Sequence, residues 1–292
     1  MPVFPPSPAC VLRVITRINH TGRHEVEDVL LREEAYDLIC DGQTVARMHC
    51  MPTNLEELAV GRLFTLGLLR DARQITSLTI RHPAGHDAAS PQSPRLAAEN
   101  AHGQDSLACA STASVAEPPH MPAGDRADAP PALKLRAAGS IRVSLAPPPA
   151  PEAEIKQADV RLDATQVHSL QAAFEERCAL FRQTGAAHSC ALATPEGILL
   201  FYEDIARHNA LDKLIGAMQL QGVPPQGKLM IFSGRLAVDM LEKAAVSGVR
   251  LLMAPGAPSL ASVELAEAMR ISLLGFVRKD NINIYTCPYR VV

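Results

Sequence analysis

From Thr184 to Tyr285 short apolar runs alternate with helix-length amphipathic segments, and few architectures accept that order. Ser189 to Ala193 and Ile198 to Glu203 are strand-like and flank Thr194-Pro195-Glu196-Gly197, a turn composition, so they pair as a hairpin. Ala206 to Met218 reads as a helix, Leu229 to Phe232 as a strand, and Leu236 to Ser247 as a helix closed by Gly248. Val249 to Ala254, Ser259 to Met269 and Ser272 to Val277 continue as strand, helix and strand. Upstream, Asp163 to Phe181 fits one amphipathic helix. Units of this kind join by right-handed crossovers, so the expectation is an α/β fold on a largely parallel sheet.

The amino-terminal zone is different. Val11 to Ile18 is β-branched and short. Ala35 to Cys40 and Thr44 to Met51 flank Asp41-Gly42, a two-residue hairpin signal, because both central positions want positive φ. Asn54 followed by Glu57 has the pattern of a capping box for a helix ending near Leu66, and Ile75 to Ile80 reads as a further strand. His82 to Ala132 is rich in Ala, Pro, Ser, Gly and Asp and nearly free of bulky apolar residues, so it cannot offset its ordering entropy. Leu133 to Leu145 returns as a strand before a Pro-rich link at Pro147 to Pro151. The expected organisation is an α+β domain over residues 1–81, a disordered insertion over 82–132, and an α/β domain over 133–292.

Composition removes several classes of function. Apolar residues form 47% and charged residues 20% of the 292-residue chain, the balance of a soluble globular protein. A formal net charge of −3, no Trp and few aromatics give no reason to expect nucleic acid as a partner. No apolar run approaches the roughly 18 residues that span a bilayer, and Met1 to Pro8 lacks a signal-peptide pattern. Seven cysteines without tight spacing point to a reducing cytoplasm and not to a disulfide framework.

In open α/β sheets ligands bind beyond the carboxyl ends of the strands. Four polar clusters fall at such places: Thr184 to His188, Glu203 to Lys213, Ser233-Gly234-Arg235, and Arg278 to Asn281. Arg207, Arg235, Arg278 and Lys279 would suit a phosphate or pyrophosphate, because cations there add to bare helix-start amides. Each also has a plain reading as a solvated surface charge. His188 and His208 lack the third and fourth ligands of a metal site, so no metal is expected. Asp212 and Lys213 could form an ordinary ion pair on one helix.

These stretches resemble the formate dehydrogenase accessory family (FdhD/NarQ). Glu203 to Gly216, EDIARHNALDKLIG, is similar to its ED-[IV]-GRHNA-x-DK-x-x-G signature, with Ala206 where the motif has glycine. Thr184 to Ala191 resembles TG-G/C-x-HAAA, and Ser233 to Ala245 resembles SGR-x-S-x-E-M-x-x-KAA with Ala237 in place of serine. Pro255 to Ala266 and Leu273 to Thr286 resemble the SAPT-x-LAVELA and TL-x-GF-x-R-x-x-x-x-NVYT segments, and Glu33-Glu34, Met51-Pro52-Thr53 and Glu57 to Gly61 agree at the amino-terminal side.

The resemblance implies a cytidine-deaminase-like three-layer α/β sandwich with a smaller amino-terminal α+β domain, cytoplasmic and homodimeric. It implies a sulfur carrier that takes sulfur from a cysteine desulfurase and delivers it to the molybdenum cofactor, bis-molybdopterin guanine dinucleotide, of formate dehydrogenase or another molybdoenzyme. By position the cofactor loop is Phe276, Val277, Arg278, Lys279, Asp280 and Asn281, with Thr184, His188, Arg207, His208, Asp212, Lys213 and Arg235 near the same cleft.

One departure is chemical. The family carries a CGxCG loop whose thiol bears a persulfide, and its place here is Gly139-Ser140-Ile141-Arg142-Val143, without cysteine. Cys109, between Ala108 and Ala110, could serve as a lone carrier or be an incidental thiol, since nothing nearby in sequence would activate it. Cys190 lies two residues after His188, and Cys10, Cys40, Cys50, Cys178 and Cys287 read as core or strand residues. Three functions remain open: an acting sulfur carrier, a non-catalytic chaperone-like homologue that binds the cofactor or a guanine nucleotide, and a scaffold without ligand.

Overall fold

A computed structural model describes residues 9–83, 138–148 and 159–292. In chain order the elements are β1 (Cys10–Asn19), β2 (Gly22–Leu31), β3 (Glu34–Cys40), β4 (Gln43–Cys50), α1 (Leu55–Thr65), β5 (Ile75–Arg81), β6 (Gly139–Leu145), α2 (Ala164–Arg177), α3 (Ala179–Thr184), β7 (His188–Thr194), β8 (Gly197–Asp204), α4 (Arg207–Leu220), β9 (Leu229–Phe232), α5 (Val238–Val246), β10 (Leu251–Met253), α6 (Leu260–Ala268), β11 (Ser272–Arg278) and β12 (Asn281–Thr286). The expected insertion over 82–132 lies almost wholly outside the described residues, and Cys109 with it.

The larger sheet has six strands in the order β12-β11-β10-β9-β7-β8. It is mixed, which corrects the expectation of a largely parallel sheet. Only β9, β10 and β11 run parallel, while β7 is antiparallel to both β8 and β9 and β12 is antiparallel to β11. The sequence Leu229 to Phe232 and Leu251 to Met253 is apolar without alternation because these strands are central and covered on both faces. One face packs Met230, Phe232, Leu252 and Leu273 against α4, α5 and α6, and the other packs Ala191, Ile231, Met253 and Leu274 against α2. Helices on both faces of one sheet make a three-layer α/β stack.

The smaller sheet runs β4-β3-β6-β5 with α1 on it. Gly139–Leu145, assigned from sequence to the segment beginning at 133, pairs here: β6 is parallel to β3 and antiparallel to β5. The β3–β4 hairpin turns at Asp41 (φ 46°) and Gly42 (φ 83°), the geometry that dipeptide favours. Asn54 stands before α1 in the left-handed region and makes no side-chain cap; its amide nitrogen donates to Glu57 Oε1 at 3.4 Å, so no capping box forms.

The expected helix from Asp163 to Phe181 is two helices. Cys178 (ψ 59°) breaks the run, and the Arg182 guanidinium donates to the carbonyls of Glu175 and Glu176 in the last turn before the break. The Asp163–Gln166 pair forms the capping box that starts α2.

The two sheets are joined through α1 and α4. Gly61 and Gly216 face each other across the crossing: a β-carbon on Gly61 would overlap the carbonyl of Asp212, and one on Gly216 the carbonyl of Glu57. Backbone meets backbone there, so α4 is covered on both sides and every residue from Asn209 to Met218 is buried.

Candidate functional site

Strand directions bring the polar clusters to one edge. Because β9, β10 and β11 are parallel, their carboxyl ends share a rim, and β7, antiparallel to β9, begins there. β8 ends opposite the start of β7, with His188 paired to Asp204. Along the rim therefore stand Phe276 to Lys279, then Gly256, then Ser233-Gly234-Arg235, then His188, then the start of α4 with Arg207 and His208. From β11 to β8 is four strand spacings, about 19 Å. Arg278 and Arg207 are thus too far apart to grip one phosphate. They can bracket an extended ligand.

The middle of the rim is built from backbone. Ser233 Oγ accepts from Ser189 N at 2.9 Å, and Ser233 N donates to Ser189 O at 3.0 Å, which ties the β9 exit to β7. A β-carbon on Gly256 would lie 2.9 Å from Gly234 O and 3.0 Å from Arg235 Cα, so only glycine lets the two loops touch. The His188 ring lies beside Gly234. Its pKa is lowered, first by burial and then by the charge of Arg207, so the ring is neutral at pH 7 and able to donate or accept one hydrogen bond.

The start of α4 splits into two kinds of residue. Arg207 and His208 are partly open, with Arg207 Nη2 and His208 Nε2 each 3.1 Å from Asp239 Oδ2 on α5. Asp212 and Lys213 are fully buried and engaged. Lys213 Nζ lies 2.6 Å from Asp204 Oδ2 and donates to Glu203 O at 3.2 Å. Asp204 also accepts from Met51 N at 3.2 Å, Ala206 N at 3.1 Å and Asn209 Nδ2 at 3.0 Å. Asp212 receives Arg62 Nε at 2.9 Å, Lys243 Nζ at 2.8 Å and Thr65 Oγ1 at 3.1 Å. These two residues, expected near a cofactor, offer it no surface. They fix α4 to the smaller sheet through β4 and α1, so their effect on the rim is positional.

The segment from Phe276 to Asn281, expected as a loop, is the end of β11, a two-residue turn at Lys279-Asp280, and the start of β12. A bulge between Gly275 and Arg278 puts Phe276 in the left-handed region (φ 48°), with its N–H donating to Gly256 O at 3.2 Å. Val277 points into the core and cannot meet a ligand. Arg278, Lys279, Asp280 and Asn281 are exposed, with Arg278 over the Phe276 ring at 5.7 Å and Asn281 Nδ2 donating to Phe276 O at 3.3 Å. Arg235 is exposed. Thr184 is committed locally: its hydroxyl donates to Leu180 O at 2.7 Å and accepts from Ala186 N at 3.2 Å.

Sequence reasoning missed Asp239, Arg62, Asn209 and Lys243. Asn209 and Lys243 fall inside the quoted motif stretches, and Asp239 is an acid a few residues after Ser233-Gly234-Arg235 at the start of a helix, while Arg62 carries no comparable signal. Asn209 Nδ2 also donates to His49 O at 2.7 Å, a contact no local pattern announces.

Cys10, Cys40, Cys50, Cys178 and Cys190 are buried, and burial is the largest cause raising each thiol's pKa, with the charge of Asp204 adding at Cys50 and that of Asp212 at Cys190. None is a ready thiolate. Cys287 is half-buried. Gly139 to Val143, where the family resemblance puts two cysteines, lies within β6, paired on both sides. Among the described residues no three of His, Cys, Asp and Glu gather as a metal site, and no helix is long and apolar enough to cross a membrane.

The fold and rim define a mixed α/β protein whose larger sheet has a basic edge built largely from backbone. The chain belongs to the FdhD/NarQ family, whose sequence model matches residues 31–292. It is 31% identical over 268 residues to the "Sulfur carrier protein FdhD" of Shouchella clausii, covering 91% of each chain. It is 28% identical over 283 residues to the protein of that name from Bacillus subtilis, covering 95% of this chain and 98% of the relative. A putative formate dehydrogenase accessory protein from Desulfotalea psychrophila has the same fold, with a TM-score of 0.70 at 22% identity over 98% of this chain and all of that one.

Proposed function

We propose that this chain is an accessory factor for formate dehydrogenase that binds the guanine-nucleotide end of the molybdenum cofactor along the rim and carries sulfur to it from a cysteine desulfurase. The observation that carries the reading is the convergence of Arg207, His208, His188, Arg235, Arg278 and Lys279 on one edge about 19 Å long, matched to an extended dianionic ligand. Bis-molybdopterin guanine dinucleotide is cargo here. The rim residues fit its phosphates through guanidinium and ammonium groups, and its base or pterin through the bare backbone around Gly234 and Gly256. The relatives named as sulfur carrier proteins support the sulfur role.

The sulfur step requires a thiolate that can attack a donor persulfide. The five buried cysteines are unsuited to it, which leaves Cys109, outside the described residues, and Cys287. A second reading is favoured by Gly139 to Val143 standing in a strand without cysteine: a cofactor-binding chaperone that passes no sulfur.

Titration of guanosine diphosphate into the full chain tests the ligand. Arg278→Ala with Lys279→Ala, and separately Arg235→Ala, should each weaken binding about tenfold or less, as expected for exposed phosphate contacts. Affinity unchanged in both variants would remove the rim from the site. Mass spectrometry after incubation with a cysteine desulfurase separates the two readings. A gain of one sulfur atom, abolished by Cys109→Ala or by Cys287→Ala, supports the carrier, and no gain supports the chaperone.

A further inference from the structure

Arg207 and His208 are the two rim residues nearest the joint between the sheets, and both are engaged by one carboxylate. Asp239 comes from another element, the first turn of α5, and one of its oxygens, Oδ2, receives both Arg207 Nη2 and His208 Nε2 at 3.1 Å. Its other oxygen accepts Met240 N at 2.8 Å and lies 3.5 Å from Arg207 Nη2. A guanidinium, an imidazole and a helix-start amide around one pair of oxygens are the donor set that a ligand phosphate would use. The carboxylate is also free to leave, since its side chain is 47% exposed and swinging into water strands no buried charge.

We propose that Asp239 occupies the phosphate position on Arg207 and His208, so that this chain carries its own competitor for the anionic ligand. The inference rests on the rim being the nucleotide site and adds a gate to it. A phosphate arriving at Arg207 exchanges with the carboxylate, one anion for another, and Asp239 turns outward. The same contact holds the start of α4 to α5 and keeps the arginine in place. Asp239 is held in its charged form. Burial raises its pKa, but the Met240 N–H, Arg207 and His208 outweigh that and leave it below the usual carboxylate value. The competitor is therefore ionised throughout the neutral range.

Exposed ion pairs are weak, so removing the competitor should tighten binding only about two- to fivefold. Isothermal titration of the full chain with inorganic pyrophosphate and with guanosine diphosphate measures this on the wild type and on Asp239→Asn, Arg207→Ala, the double variant and Glu242→Gln. Glu242 is exposed on the same helix and has the same charge, so its variant reports any gain from net charge alone. The expected result is tighter binding of both probes by Asp239→Asn, no comparable gain from Glu242→Gln, and no gain in the Arg207→Ala background. Equal affinities for wild type and Asp239→Asn, with Arg207→Ala still weakening both, would overturn the gate and leave the rim intact. An equal gain from Glu242→Gln would also overturn it. If Arg207→Ala binds as the wild type does, the rim assignment fails at this end and the gate fails with it. Asp239→Ser provides a second, helix-start-compatible variant should the asparagine alter folding.

Discussion

Replacing Lys213 with methionine removes one ammonium and almost no volume, and the structure sets what that should do. The Lys213 ammonium lies 2.6 Å from Asp204 with both side chains wholly buried. Without it the carboxylate keeps three neutral donors, Met51 N, Ala206 N and Asn209 Nδ2, and no compensating charge. Breaking such a pair from one side costs about 3–5 kcal/mol. Against a total stability of about 5–15 kcal/mol, this is a large fraction. At roughly 2–4 °C per kcal/mol the melting temperature should fall by roughly 6–20 °C. Urea titration and thermal melts of the full chain measure it. Asp204→Asn combined with Lys213→Met removes the stranded charge, so the double variant should recover at least about 1 kcal/mol relative to the sum of the two single changes. A single-variant loss below about 1 kcal/mol, or strict additivity, would refute the assignment of this pair as the buried pin of α4.

Three further outcomes follow from other parts of the structure. Gly216→Ala forces a methyl group into the Glu57 carbonyl at the α1–α4 crossing and should cost about 1–3 kcal/mol in urea midpoint-derived stability; an unchanged midpoint would mean the helices can separate freely. Because burial and Arg207 hold His188 below the ordinary imidazole value of 6.5, the folded state binds fewer protons there than the unfolded chain. Its contribution is present above that value and lost as pH falls through it, so wild-type stability should drop more steeply from pH 7 to 5 than that of His188→Gln, and parallel profiles would contradict the sign. Cys50 and Cys190, buried and pushed to high pKa, should resist a thiol reagent at pH 8 until the protein is unfolded, and prompt labelling of either would show the core around them to be open.

The hydrophobic runs of β9 and β10 and the Asp41-Gly42 turn were legible from sequence because each is decided by residues within a few positions. The motif stretches located the rim for the same reason: strand ends and helix starts are local events. What was not legible depends on distant partners. β6 joins β3 across a gap of about a hundred residues in the sequence, and nothing inside Gly139 to Leu145 says which sheet it will enter. β2 was hidden because its charges sit on a two-stranded ribbon with both faces partly open, which erases the alternation that marks a strand. β12 carries alternating Ile282 and Ile284, a local strand signal immediately after the segment Phe276 to Asn281 that was expected as a loop. Asp212 and Lys213 read from sequence as a possible ion pair with each other, but the crossing of α1 over α4 turns that helix face inward and gives Lys213 to Asp204 and Asp212 to Arg62 and Lys243.

On the proposed reading, one extended anionic nucleotide lies along the edge from Phe276 to Arg207. A crystal structure of the full chain with guanosine diphosphate tests it most directly. The predicted result is density for the diphosphate on that edge, within hydrogen-bond reach of at least one of Arg207, Arg235 and Arg278 and alongside Gly234 and Gly256. Nucleotide density at any other surface, with these arginines undisturbed, would rule out the rim as the nucleotide site.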